Sequence, residues 1–254
     1  MTRKSLAFLT LAALPVGIAC GGSGSETAKP AAAPKSEAAA PAAAGSASLS
    51  GKVAFEGTPP KAEKVKLNAD PKCAAMHKEG LERVAVKVTN GGVADVLVYV
   101  KSGVKGTYPV PTDPVLLDQQ GCDYHPHMLV LRAGQPLKIR NSDDTLHNIH
   151  PRPTLNEEFN IGQARQGMEK EKNLGKPEVM IPVGCDVHPW MRAYISVLDN
   201  PFFAVTKEDG TFEIKGLPAG EYEVEAFHGK LKSQAQKVTV KDGEAKSLSF
   251  TFKG

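Results

Sequence analysis

Apolar and polar residues alternate along most of this chain from about residue 49 to its end. Short alternating runs lie at residues 53–55, 84–88, 96–100, 129–139, 194–197, 212–214, 222–226 and 238–252. A period of two is the pattern of β-strands that bury one face. Turns rich in Gly or Pro separate the runs, and Asn90-Gly91-Gly92 is typical of a tight hairpin. The pattern predicts an all-β chain of sandwiches or barrels, with a short helix near residues 74–79 and irregular structure at residues 163–173.

The first 48 residues lack this alternation. Arg3 and Lys4 precede a mostly apolar run that ends at Ala19-Cys20, which is the order found in a signal peptide, and the run is too short for a permanent transmembrane helix. Residues 20–48 are mostly Ala, Pro, Gly, Ser, Lys and Glu. Such a segment cannot bury enough apolar surface to fold. We therefore expect a signal peptide at residues 1–19 and a flexible tether at residues 20–48.

The end of the signal peptide, Gly17-Ile18-Ala19-Cys20, resembles the bacterial lipobox. The resemblance implies cleavage before Cys20 and a lipid on its thiol, which would hold the protein at a membrane that faces the periplasm or the cell surface. Buried acyl chains contribute roughly 0.8 kcal/mol per methylene to such attachment. An ordinary secretory signal with an incidental cysteine is the alternative. Both interpretations predict export.

The net charge argues against nucleic-acid binding, and the remaining cysteines predict a disulfide. Thirty-one basic and 28 acidic residues leave a net charge of +3, which gives no strong field for nucleic acid. With Cys20 assigned to lipid and Cys185 to the motif described below, Cys73 and Cys122 remain as a pair. An oxidising compartment favours a disulfide between them. Two buried thiols, or a second metal site formed by Cys73 and His77, are the alternatives.

The stretch GCDVHPWM, which ends at Met191, carries the candidate chemistry. It places a thiol, an imidazole and a thioether in one short loop with the spacing C-x2-H-x2-M, and His147 follows an upstream predicted strand. One Cys, two His and a Met form the ligand set of a mononuclear blue-copper site. We therefore predict one copper ion held by His147, Cys185, His188 and Met191.

Other interpretations of these residues fit less well. Zinc rarely uses Met, and a Cys and His three residues apart on a tight loop suit one shared ion better than nucleophilic catalysis. A binuclear site needs a second cysteine in the loop, and multicopper oxidases and copper nitrite reductases need more histidine sites than seven scattered His residues supply. His150 is the alternative to His147. The other histidines (His77, His125, His127 and His228) are expected to be structural or solvated, as is the charged run at residues 168–172.

At these residues the chain resembles the cupredoxins, the small blue-copper proteins of the amicyanin and plastocyanin kind. The ligand loop of the amicyanins in particular, C-x2-H-P-x-M-R, matches residues 185–192, and their upstream motif H-N-x-H matches residues 147–150. The resemblance covers residues 123–199 and departs at a long insert, residues 151–176. It implies a Greek-key β-sandwich at residues 121–199. It also implies that Asn148 ties the two ligand loops together and that Pro189 removes a backbone donor near the sulfur. Trp190 is either a docking position for a redox partner or a core residue.

The C-terminal residues 200–254 resemble the carboxypeptidase regulatory-like (transthyretin-like) β-sandwich. The resemblance rests on T-x-x-D-G-x-F from Thr206 and G-L-P-x-G-x-Y from Gly216. The β-rich region at residues 49–120 opens with SGKVAFEGTPP, which is similar to the first strand of such a domain. We expect this region to contribute strands to the C-terminal sandwich, with two sandwiches in series as the alternative. No catalytic constellation is visible in this part of the sequence.

The expected function follows from the ligand set and the resemblance. We expect an electron carrier, not an enzyme, that exchanges single electrons with c-type cytochromes or a periplasmic oxidoreductase. Copper trafficking or storage, and a structural surface lipoprotein without redox turnover, are the alternatives.

Overall fold

The computed structural model describes residues 44–67 and 70–254. The signal peptide, Cys20 and most of the tether lie outside the described residues. Within the described residues, no helix is long and apolar enough to cross a membrane.

The described chain contains one short helix and 21 strands. The first half contains β1 Ala47–Glu56, β2 Glu63–Lys64, α1 Pro71–Met76, β3 Glu82–Arg83, β4 Val88–Thr89, β5 Gly92–Val93, β6 Leu97–Ser102, β7 Val115–Gln120, β8 Asp123–His125, β9 Met128–Arg132 and β10 Pro136–Asn141. The second half contains β11 His147–Pro151, β12 Ile161–Gln163, β13 Glu169–Asn173, β14 Glu178–Gly184, β15 Arg192–Leu198, β16 Phe203–Val205, β17 Thr211–Leu217, β18 Gly220–His228, β19 Lys232–Val240, β20 Ala245–Ser247 and β21 Phe250–Lys253. The predicted fold class, all-β with two sandwiches, is confirmed.

Both ends of the described chain form one sandwich, which we call the terminal sandwich. One of its sheets has the order β17-β1-β5-β4 with β20 and β21 also paired to β1, and the other has the order β16-β6-β18-β19. Strand β1 begins at Ala47, within the expected tether, because Ala47 and Leu49 are fully buried in the core of this sandwich. The Asn90-Gly91 turn joins β4 to β5, and both residues have the positive φ angles of a tight hairpin, 51° and 72°.

The middle of the chain forms a second sandwich, which we call the inserted sandwich. Its sheets have the orders β13-β10-β7-β8 and β12-β11-β14-β15-β9. It begins with β7 at Val115, because β7 pairs in parallel with β10. The expectation of irregular structure at residues 163–173 is wrong for β13, a strand exposed along its whole length that pairs with β10 at the sheet edge. Its charged residues show no alternation because neither face is buried.

A cluster of apolar side chains joins the two sandwiches: Leu97, Tyr99, Met128, Met180 and Leu198. Strand β6 contributes to two cores, with Val98 and Val100 in the terminal core and Leu97 and Tyr99 in the joining cluster. Burial on both faces explains why β6 has an unbroken apolar run at Leu97–Val100.

Candidate metal centre

Two neighbouring strands of the inserted sandwich position the predicted ligands. Strand β11 begins at His147, and the loop between β14 and β15 carries Cys185, His188 and Met191. The loop is closed by two backbone hydrogen bonds, from Cys185 N to Met191 O at 3.3 Å and from Met191 N to His188 O at 2.9 Å. Upstream, the Asn141 side chain donates to Thr145 O and accepts from Asp143 N. These bonds shape the turn that leads to His147.

The structure brings three predicted ligand atoms together in the protein interior. His147 Nδ1 lies 2.9 Å from His188 Nδ1, and Cys185 Sγ lies 3.9 Å from His188 Nδ1. Metal–nitrogen bonds of about 2.0 Å and metal–sulfur bonds of about 2.3 Å allow one ion to bind atoms at these separations. All three side chains are buried. Met191 is fully buried in the same core cluster as Cys185.

A carboxylate holds the far nitrogen of each imidazole. His147 Nε2 lies 2.9 Å from Asp143 Oδ2, and His188 Nε2 lies 2.9 Å from Asp70 Oδ2. A carboxylate accepts hydrogen bonds, so each Nε2 carries a proton, and in the neutral rings both Nδ1 atoms present lone pairs. Two lone pairs that face each other at 2.9 Å need a proton or a cation between them. Carboxylate–histidine pairs of this kind orient ligands in many metal sites.

Each carboxylate is itself fixed by backbone amides. Asp143 accepts from Gly121 N and Cys122 N at 2.8 and 2.7 Å. Asp70 is the N-cap of α1 and accepts from Lys72 N and Cys73 N. Burial opposes ionisation of Asp70, but hydrogen bonds from Thr145, Cys73 and His188 outweigh it and lower the pKa to about 2.

Asn148 links the two ligand segments. Its Oδ1 accepts from Cys185 Sγ at 3.1 Å and from Asp186 N at 2.8 Å, and its Nδ2 donates to Asn160 Oδ1 at 2.7 Å. The sulfur also accepts from His188 N at 3.3 Å. Pro189, the next residue, has no amide hydrogen to add. Asn148 therefore joins the start of β11 to the loop that carries Cys185.

The site favours a thiolate beside a charged imidazole when no ion is bound. Burial raises the pKa of Cys185, but hydrogen bonds with His147 and His188 outweigh it and lower the pKa to about 6. Burial likewise lowers the pKa of His147, but hydrogen bonds to Asp143 and Cys185 outweigh it and raise the pKa to about 8. The surroundings thus stabilise the deprotonated sulfur that metal binding requires.

One known protein family matches the C-terminal part of the chain. Residues 188–253 match the family of the carboxypeptidase regulatory-like domain. This match is about a quarter of the chain, and it supports the expected resemblance of the C-terminal part. The matched segment begins inside the loop that carries Cys185, His188 and Met191. Strand β15, which follows this loop, pairs with β9 and β14 of the inserted sandwich. The structural boundary therefore lies after β15. No curated protein matches the sequence.

Several solved structures are similar to part of the chain. A Cu-containing nitrite reductase (NirK) from Thermus scotoductus SA-01 is 21% identical over 41% of this chain and 26% of its own, with a TM-score of 0.33. A novel purple cupredoxin from Nitrosopumilus maritimus is 20% identical over 33% of this chain and 99% of its own, with a TM-score of 0.29. Amicyanin from Paracoccus versutus is 19% identical over 40% of this chain and 97% of its own, with a TM-score of 0.31. This chain thus spans about a quarter of the nitrite reductase. At these identities and TM-scores, the similarities assign neither a function nor a metal to this chain.

Helix α1 and a disulfide cover His188. The structure joins Cys73 of α1 to Cys122, and Cys73 Sγ lies 3.7 Å from His188 Nε2. His77, which the alternative metal site would have used, instead bonds to Gly121 O at 2.7 Å. With α1, the disulfide and Asp70 packed around it, the His188 side chain is only 1% exposed.

Trp190 packs beside the His188 ring. The two ring centroids are 5.0 Å apart, and Trp190 Nε1 donates to Cys122 O at 3.1 Å. The indole is partly buried against both the core of the inserted sandwich and the disulfide. Trp190 therefore packs in the interior and also reaches the surface.

The remaining histidines lie away from the three ligand atoms. His150, the alternative ligand, bonds to Asp186 and Glu158 at 3.0 and 2.7 Å. The exposed His125 bonds to Gln120 O at 3.2 Å, and His228 is buried and accepts from the Lys230 amide.

Sequence reasoning missed Asp70 and Asp143. Asp143 lies four residues before His147 in a turn, a spacing that gives no signal of contact by itself. Asp70-Pro71 has the pattern of a helix N-terminus, which could have revealed the cap. Nothing in the sequence places that cap against His188, because 118 residues separate the two.

Proposed function

We propose that the inserted sandwich binds one copper ion through His147, Cys185, His188 and Met191 and carries single electrons between redox partners. The observation that supports this most is the donor arrangement: two imidazole Nδ1 atoms and one sulfur converge, and both Nε2 atoms are held by carboxylates. One thiolate, two imidazoles and a thioether suit type 1 copper, whereas structural zinc sites use other ligands.

The protein's own residues would keep the ligands in place in both oxidation states. Copper, when bound, would supply the couple between Cu(II) and Cu(I). Asp143 and Asp70 fix the orientations of the two rings, and Asn148 holds the loop against β11. Cys185 is buried in the core of the inserted sandwich. Such fixed surroundings keep the rearrangement between the two states small and tune the potential.

We propose that the protein is an electron carrier outside the cytoplasm and not an enzyme. The order of basic, apolar and small residues in the first 20 positions supports export and lipid attachment at Cys20. The Cys73–Cys122 disulfide fits an oxidising compartment. Partners there would be c-type cytochromes or a periplasmic oxidoreductase.

Absorption spectroscopy tests the proposal directly. Purified chain loaded with Cu(II) should be intensely blue and should bleach reversibly on one-electron reduction, and Cys185→Ser should abolish the colour. His147→Gln should also abolish it, while His150→Gln, three residues along the same segment, should retain it. A colourless wild-type chain would overturn the proposal. Tight copper binding without reversible bleaching would favour copper trafficking or storage instead.

A further inference from the structure

A cleft of about 850 Å³ opens beside the candidate metal centre, and we call it the basic cleft. Its lining comes from three parts of the chain: residues 63–66 and 83–85, the inserted sandwich, and the turn between β18 and β19. Trp190 and Tyr194 are among the residues that line it.

Cationic side chains outnumber acidic ones in the lining of the cleft. Four exposed cations have no ion pair among the described residues: Lys64, Lys66, Arg192 and Lys230. Glu63 is the single acidic residue in the lining. Arg83 is a fifth cation in the lining, but it forms an ion pair with Asp123, in which Arg83 Nη1 lies 2.5 Å from Asp123 Oδ1. A concave surface with such an excess of one sign concentrates ligands of the opposite charge.

Two histidines in the cleft add no positive charge near pH 7. Burial lowers the pKa of His127, and burial lowers the pKa of His228 to about 4. The attraction for an anion therefore comes from the lysines and Arg192.

Trp190 connects this cleft to the metal centre. Its ring lines the cleft and lies 5.0 Å, centroid to centroid, from the His188 ring. His188 also contacts Asp70 and the disulfide sulfur of Cys73. A group bound in the cleft against the indole would therefore be separated from the His188 ring by one aromatic side chain.

We propose that the basic cleft docks an acidic segment of a redox-partner protein and that Trp190 is the contact between that partner and His188. This inference rests on the proposed function. Copper, when bound at His147, Cys185, His188 and Met191, would accept the one electron that the reduced partner loses, and no bond would form or break. The volume exceeds that of a simple inorganic anion, and the mixture of cations with Trp190 and Tyr194 suits a peptide segment that carries acidic and apolar side chains.

Binding can be tested without copper because Trp190 is the sole tryptophan of the chain. Metal-free protein at low salt is titrated with a deca-glutamate peptide while Trp190 fluorescence is recorded. Lys64→Glu combined with Lys230→Glu should weaken binding at least tenfold. The matched control, Lys237→Glu with Lys241→Glu, makes the same charge change at exposed positions outside the cleft and should alter binding less than twofold. Equal weakening in both pairs overturns the proposal. It is also overturned if anionic phospholipid vesicles, but not the peptide, change the fluorescence.

Electron exchange gives the second test. The copper-loaded chain is reduced by hexacyanoferrate(II), an anionic donor, at low and high ionic strength. The cleft pair Lys64→Glu and Lys230→Glu should remain blue but react at least tenfold more slowly at low salt, and Trp190→Leu should slow the reaction at both salt concentrations. A colourless wild-type chain would refute the proposed function and leave the peptide result standing. Blue variants with unchanged rates would refute the role of the cleft alone.

Discussion

Glu178 holds the long insert against the inserted sandwich, and its replacement by Gln should destabilise the protein in a pH-dependent way. Its carboxylate accepts hydrogen bonds from Leu155 N and Asn156 N, both at 3.0 Å, and from Thr154 Oγ1 at 2.9 Å. Burial opposes ionisation, but hydrogen bonds from the Thr154 backbone amide, the Asn156 side chain and the backbone amides of Asn156 and Leu155 outweigh it and lower the pKa from 4.5 to about 2. At about 1.36 kcal/mol per pH unit, this difference corresponds to roughly 3 kcal/mol. Since Glu178 is only partly buried, we expect about 2 kcal/mol at pH 7.

The direction with pH follows from the lowered pKa. The stabilisation is complete above the unfolded value of about 4.5 and is lost as the pH falls through about 2 in the folded state. Urea unfolding of wild type and Glu178→Gln should therefore show a difference at pH 7 that more than halves by pH 3. Glu221→Gln removes the same charge from an exposed strand position and should change stability by less than about 0.5 kcal/mol. An equal Glu178→Gln deficit at both pH values would refute the hydrogen-bonding explanation.

The remaining predictions concern the metal centre and its cover. Met191→Leu should keep the blue colour and raise the reduction potential, because the thioether tunes it; an unchanged potential in voltammetry would argue against Met191 as a ligand. Asp143→Asn should weaken copper binding about 10- to 100-fold in chelator competition, while Asp144→Asn, at an 81% exposed side chain, should have little effect; similar losses in both would contradict the ring-orienting role. Cys73→Ser with Cys122→Ser should lower the free energy of unfolding by about 2–4 kcal/mol, and unchanged urea curves would show that the disulfide contributes nothing.

The alternation of apolar and polar residues predicted most of the strands, because a strand and its turn are determined by residues only a few positions apart. The hairpin at Asn90-Gly91 and the alternating strand β18 are examples. Strand β13 was missed since an exposed edge strand buries no face and so leaves no alternation. Which strands share a sheet could be predicted only by resemblance, because the pairing of β1 with β20 and β21 joins residues about 200 positions apart.

The candidate ligand set could be proposed from the sequence because a metal site requires particular atoms at short spacing. Cys185, His188 and Met191 share one loop, and few residue combinations explain that spacing. The carboxylates that orient the rings obey no such rule, since any acceptor near Nε2 would serve. Their identity depends on how α1 and the turn at Asp143 pack, and this packing was accessible only from the coordinates.

The basic cleft gives the terminal sandwich a role next to the metal centre. The turn between β18 and β19 supplies His228 and Lys230 to one wall, and Gly229 between them packs against the Tyr194 ring of the inserted sandwich. A Cβ on Gly229 would lie 2.3 Å from ring atoms of Tyr194, so only glycine lets the turn approach this closely. The terminal sandwich contains no ligand of the candidate centre. Its contribution, under the proposal for the cleft, is to add the cation Lys230 to a lining that Lys64, Lys66 and Arg192 also supply.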